Sequence, residues 1–96
     1  MNMQNLKQQF NECQNVRKRI GNLEIKLNVL TRQNKEYYNL MINDFERNIS
    51  IRKHIETGNC SFDDALTTFA KLVNMVEDEI VDNTLLSTET LFNLIV

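Results

Sequence analysis

Apolar residues recur along the first half of the chain at Met3, Leu6, Phe10, Cys13, Val16, Ile20, Leu23, Leu27 and Leu30, then at Tyr37, Met41 and Phe45. Most steps are three or four residues, with one gap of seven that spans Asn34. Such a rhythm keeps a stripe on one side of an α-helix and is the signature of a heptad repeat. It predicts a single helix over residues 2–56. In that frame Ile20, Leu27, Asn34 and Met41 take a positions, and Leu23, Leu30 and Tyr37 take d positions. These seven residues are the candidate oligomer interface, with Asn34 as a polar device that fixes register. The interior glycine, Gly21, leaves the rhythm in phase, and a mid-helix glycine costs only about 1 kcal/mol relative to Ala.

The length of this helix implies a partner. At 1.5 Å per residue it would span roughly 80 Å, more than the remaining residues can cover. A second chain is therefore expected along the stripe, as a homo-oligomer with the dimer first, or as a helical hetero-partner.

The next boundary lies at Thr57-Gly58-Asn59. Ser61 suits an N-cap, and Asp63 and Asp64 suit the first turn of a helix, whose dipole attracts anions. Phe62, Ala65, Leu66, Phe69, Val73, Val76 and Ile80 then form one helical stripe over about 62–81. A short last helix follows Ser87, and its apolar residues Leu91, Phe92, Leu94 and Ile95 are candidates for binding a partner. The fold class expected is all-α: a coiled-coil helix over 1–56, then an antiparallel hairpin partner and a C-terminal helix over 57–96, making one structural unit.

Composition supports long helices, since the 96 residues include no Pro and only two Gly. Charge adds an asymmetry that the net value of −2 hides. Residues 1–60 hold ten Lys/Arg against six Asp/Glu, and residues 61–96 hold one Lys against seven acids. A basic part and an acidic part attract each other within or between chains. Arg17, Lys18 and Arg19, with Arg52 and Lys53, are the candidate nucleic-acid contacts. The basic run is too short for a basic-zipper protein.

Catalytic chemistry finds no foothold. The chain lacks a Gly-rich phosphate loop, a paired-histidine zinc motif and a Ser nucleophile between glycines. Two cysteines and one histidine cannot make a four-ligand zinc site. No catalytic, cofactor-binding or metal residue is expected, and no cofactor. The polar N-terminus and the lack of a long apolar run predict no leader and no membrane span. The expected location is intracellular (cytoplasmic or nuclear), in a cell or as a virus- or phage-encoded protein, and not secreted.

Residues Ile55-Glu56-Thr57-Gly58-Asn59-Cys60-Ser61-Phe62-Asp63-Asp64-Ala65-Leu66, with Phe69, form a pattern that resembles the helix–turn–helix of the small subunit of exodeoxyribonuclease VII. The resemblance implies a non-catalytic accessory subunit that coats a nuclease stalk. The function expected from the residues themselves is a non-enzymatic interaction or assembly protein that oligomerises through a coiled coil and helical bundle. The alternative is a nucleic-acid-associated accessory subunit, of a nuclease or another DNA or RNA complex, that uses the basic N-terminal half.

Overall fold

The computed structural model describes residues 2–82 and Asn93, and it overturns the all-α expectation. The described elements are α1 (Met3–Cys13), β1 (Asn15–Ile20), β2 (Leu23–Arg32), β3 (Lys35–Asp44), β4 (Ile49–Glu56), a 3-10 turn (Thr57–Asn59) and α2 (Phe62–Asp82). The four strands form one antiparallel sheet in the order β1-β2-β3-β4. No single helix spans 2–56, and so there is no coiled coil or helical bundle built on one.

The physical reason lies in a second period within the same residues. Leu23, Ile25, Leu27 and Val29 alternate with Glu24, Lys26 and Asn28. Tyr38, Leu40 and Ile42 alternate likewise, as do Ile49 and Ile51. Period-two alternation puts these apolar residues on one face of their strands. Registration then aligns them across strands: Val16 faces Leu27 and Leu27 faces Leu40, while Ile25 faces Ile42 and Ile42 faces Ile51. The β-branched residues Val16, Ile25, Ile42 and Ile51 suit this pleated, half-covered surface.

The helices cover that apolar face. Leu6 of α1 and Ala65, Leu66, Phe69, Leu72, Val73 and Val76 of α2 join the sheet residues in one buried cluster. Phe10 and Phe62 meet edge to face at 4.9 Å between ring centres, which ties the two helices together. Helix α2 has the start expected of it: Ser61 Oγ accepts the backbone N–H of Asp64 at 3.1 Å, and Asp63 and Asp64 lie in the first turn.

The proposed coil residues scatter accordingly. Leu23 and Leu27 are in the core, and Ile20 packs against it. Leu30, Tyr37 and Met41 point to the opposite face of the sheet by strand alternation. Thr57–Asn59 connects β4 to α2 and not two helices. Ile55 and Glu56 belong to β4, so the resemblance to the nuclease subunit, which needs a helix before that turn, fails. The terminal helix and its candidates Leu91, Phe92, Leu94 and Ile95 lie outside the described residues.

Asn34 has a role other than the one its heptad position suggests. Gln33 and Asn34 form the two-residue β2–β3 turn with φ of 53° and 64°. Paired positive φ values fit the right-handed twist of a hairpin, and Asn adopts them more readily than most side chains. Asn34→Leu is therefore expected to lower stability by about 1–2 kcal/mol through backbone strain, and Asn34→Gly is expected to be neutral or slightly stabilising. Thermal unfolding of both variants checks this; a stabilised leucine variant would contradict the turn.

The β3–β4 turn is built on Asp44, only 4% exposed. Its carboxylate accepts the backbone N–H groups of Glu46 and Arg47, each at 3.1 Å, and the Arg47 Nε at 2.6 Å. Burial alone pushes this carboxyl up. The hydrogen bonds and charge of Arg47, with the Glu46 N–H, outweigh that and hold it below the usual range. A carboxyl depressed in the folded state stabilises the protein above the unfolded value near 3.9 and loses that contribution as the pH falls through the acid range. Asp44→Asn should cost about 1–3 kcal/mol at neutral pH and flatten the stability profile below about pH 4, as read by urea unfolding at a series of pH values.

Candidate functional site

Among the described residues, both helices pack on one face of the sheet, leaving the other face uncovered by helix. Strand alternation sends Arg17, Arg19, Lys26, Arg32, Lys35, Arg52 and His54 to this open face, along with Glu24 and Glu56. One row runs straight across all four strands: Arg17 faces Lys26, Lys26 faces Met41, and Met41 faces Arg52. Arg32 faces Lys35 at the end of the β2–β3 hairpin.

Like charges placed directly across a strand pair are destabilising, by a few tenths of a kcal/mol to about 1 kcal/mol. The chain tolerates two such pairs here. The same face contains the opposite arrangement, Arg19 across from Glu24, so the repulsive pairs are not a general habit of the surface. Lys35 is relieved by Glu56 at 3.5 Å. No carboxylate of the described residues lies within ion-pair distance of Arg17, Lys26, Arg32 or Arg52.

Arg19 is otherwise engaged. Its guanidinium lies 4.4 Å from the centre of the Phe45 ring, and its Nε donates to the Gly21 carbonyl at 2.8 Å. The two neighbouring hairpin turns are joined at this end of the sheet. Phe45 N donates to Asn22 O at 3.0 Å, and Asn22 Nδ2 donates to Glu46 Oε2 at 2.9 Å.

A second row carries three amides and an imidazole: Asn15, Asn28, Asn39 and His54 face one another in sequence. Asn39 is only 4% exposed although it belongs to the open face. Its Nδ2 donates to Asn28 Oδ1 at 3.0 Å, while its own Oδ1 is buried with no donor among the described residues. A buried acceptor left unpaired costs about 1–3 kcal/mol. Next to this row the rings of Tyr37 and His54 lie 6.1 Å apart, tilted by 43°.

Of the basic residues singled out in the sequence, Arg17, Arg19 and Arg52 share this face. Lys18 and Lys53 go to the other side by strand alternation. The sequence reading missed Lys26, Arg32 and Lys35 as members of the group, because only the sheet register brings them beside Arg17 and Arg52. The alternation in β2 was the signal that could have found Lys26 and Arg32.

The charge asymmetry of the chain becomes a spatial one. Helix α2 carries Asp63, Asp64, Glu77, Asp78 and Glu79 against Lys71, and it packs on the face opposite the basic row. Cys60 is half-buried and packs against the core, beside the Ser61 cap. Among the described residues, no group of three or more His, Cys, Asp or Glu could hold a metal ion, and no helix is long and apolar enough to cross a membrane. Comparisons with family models, curated proteins and solved structures return no match for this chain.

Proposed function

We propose that the chain is a non-catalytic binding module whose open sheet face holds single-stranded nucleic acid. The observation that carries this reading is the Arg17–Lys26–Met41–Arg52 row, where cations stand together at a cost to the fold and without carboxylate partners among the described residues. A polyanion offsets that repulsion, and its phosphates release counterions when bound. Local rules broken in one place mark functional sites more often than random surface.

The shape of the surface favours single strands. A duplex groove admits a helix or a two-stranded ribbon, whereas a flat sheet with rings on it suits splayed bases that stack. Four strands set about 4.8 Å apart spread the row over roughly 14 Å, wide enough to follow a strand across the face.

The test is fluorescence anisotropy of a labelled mixed-sequence single strand of about 12 nucleotides, a length within the span of known sheet-based sites, titrated at increasing salt. Affinity should fall as salt rises, and the same-length duplex should bind more weakly. Absence of binding at low salt would discard the reading.

The charge separation favours a second reading, association between copies, with the acidic α2 of one chain against the basic face of the next. Sedimentation at low salt without nucleic acid distinguishes it, since self-association would then appear with protein alone.

A further inference from the structure

At the end of the sheet near the β2–β3 turn, Arg32, Gln33, Tyr37 and His54 line a cavity of about 260 Å³. We propose that this cavity is a one-nucleotide subsite, which takes a nucleobase against the Tyr37 and His54 rings and its phosphate at Arg32. The inference rests on the nucleic-acid reading of the same face and adds to it a fixed end, where one nucleotide is gripped while its neighbours follow the cation row.

Two chemistries meet in this place. Arg32 is exposed and has no carboxylate partner among the described residues. Its planar guanidinium matches a phosphate with two donors. The Tyr37 and His54 rings, 6.1 Å apart and tilted by 43°, do not lie flat on each other, so a ring face remains for a base.

The combination selects the ligand class. Inorganic phosphate or a sugar phosphate uses the guanidinium and nothing else. A nucleotide supplies both a phosphate and a π-face. The volume sits just below the roughly 300–1,000 Å³ of sites for drug-sized ligands, which suits one base and its phosphate.

The experiment is a titration followed by amide chemical shifts in ¹H–¹⁵N spectra, with adenosine monophosphate, ribose 5-phosphate, inorganic phosphate and the single strand used above. Adenosine monophosphate should shift the amides of Arg32, Gln33, Tyr37 and His54 and bind more tightly than ribose 5-phosphate. Tyr37→Ala should weaken the nucleotide about tenfold, in line with the loss of one stacked base, and leave ribose 5-phosphate unchanged. Tyr37→Phe should restore the nucleotide. Arg32→Gln, at an exposed position, should weaken nucleotide and phosphate alike. Equal binding of nucleotide and ribose 5-phosphate would overturn the subsite, as would a Tyr37→Ala variant that keeps full nucleotide affinity. A mononucleotide that binds as tightly as the strand would assign the cavity to a free nucleotide and remove it from the strand path. If the strand binds while the mononucleotide shifts none of the four amides, the subsite fails and the reading of the face stands. If the strand itself does not bind, both fall.

Discussion

Replacing Phe69 by alanine should remove about 3–5 kcal/mol of stability, the range for truncating a buried aromatic. Phe69 has no exposed surface, and it sits in the middle of the α2 stripe within the cluster that joins helix to sheet. Its loss combines two terms: the transfer free energy of the ring, and a cavity that Leu66, Val73 and the strand residues can only partly close. Domains of this size are stable by about 5–15 kcal/mol, so a substantial unfolded population is expected at moderate urea. The midpoint of urea unfolding should fall with an unchanged slope. Leu30→Ala provides the contrast. Leu30 is half-buried on the open face and should cost under about 1 kcal/mol, well below the 2–5 kcal/mol of a core leucine. A coiled coil with Leu30 on its seam would reverse that order, so the pair of measurements separates the two architectures.

The second large effect concerns binding. Neutralising Arg17, Lys26 and Arg52 together to glutamine should lower single-strand affinity about 100-fold at 0.1 M salt, because each phosphate contact contributes a slope of about −0.7 to log K against log salt. The slope itself should flatten by about 2. Stability gives the control. Arg17 and Lys26 face each other directly, and removing that repulsion should leave the fold unchanged or stabilise it by a few tenths of a kcal/mol. Cations retained for the packing of their stems would show the opposite: lost stability and little change in binding. Unchanged affinity with an unchanged salt slope would move nucleic acid, if it binds at all, away from this row.

These effects also indicate why one helix was legible in the sequence and the sheet was not. Over α2 the apolar steps of three and four have no competing period, and Ser61, Asp63 and Asp64 mark the start with capping chemistry. Over β2 the spacing of four between Leu23 and Leu27 is a multiple of two, so the same pair fits a helix stripe and a strand face. Ile25 and Val29 decide between them. A heptad frame leaves both unexplained, while alternation requires them. The turns compounded the ambiguity, since Gln33-Asn34 lacks the glycine that usually marks a tight hairpin. Both residues take a positive φ, which at Asn34 draws on asparagine's tolerance of that region and not on a breaker residue.

The basic face was legible only in part for a related reason. Arg17, Arg19 and Arg52 stand out along the chain, but a linear run of charge also includes Lys18, which strand alternation sends to the other side. Lys26 and Arg32 are separated from Arg52 by an entire hairpin in sequence and join it only through register. The Asn39 acceptor has no sequence signal, because its isolation depends on which side chains surround it.

The short connections of the meander bear on how such a protein can change over generations. Gly21-Asn22 and Gln33-Asn34 are each only two residues long, and residues 45–48 close the last hairpin. Insertions there would shift register and expose the core, so new ligand preferences cannot readily arise by lengthening these loops. The open face offers a different route. Its exposed strand residues can be exchanged without touching the apolar side, which makes ligand choice and foldability nearly independent traits in this chain.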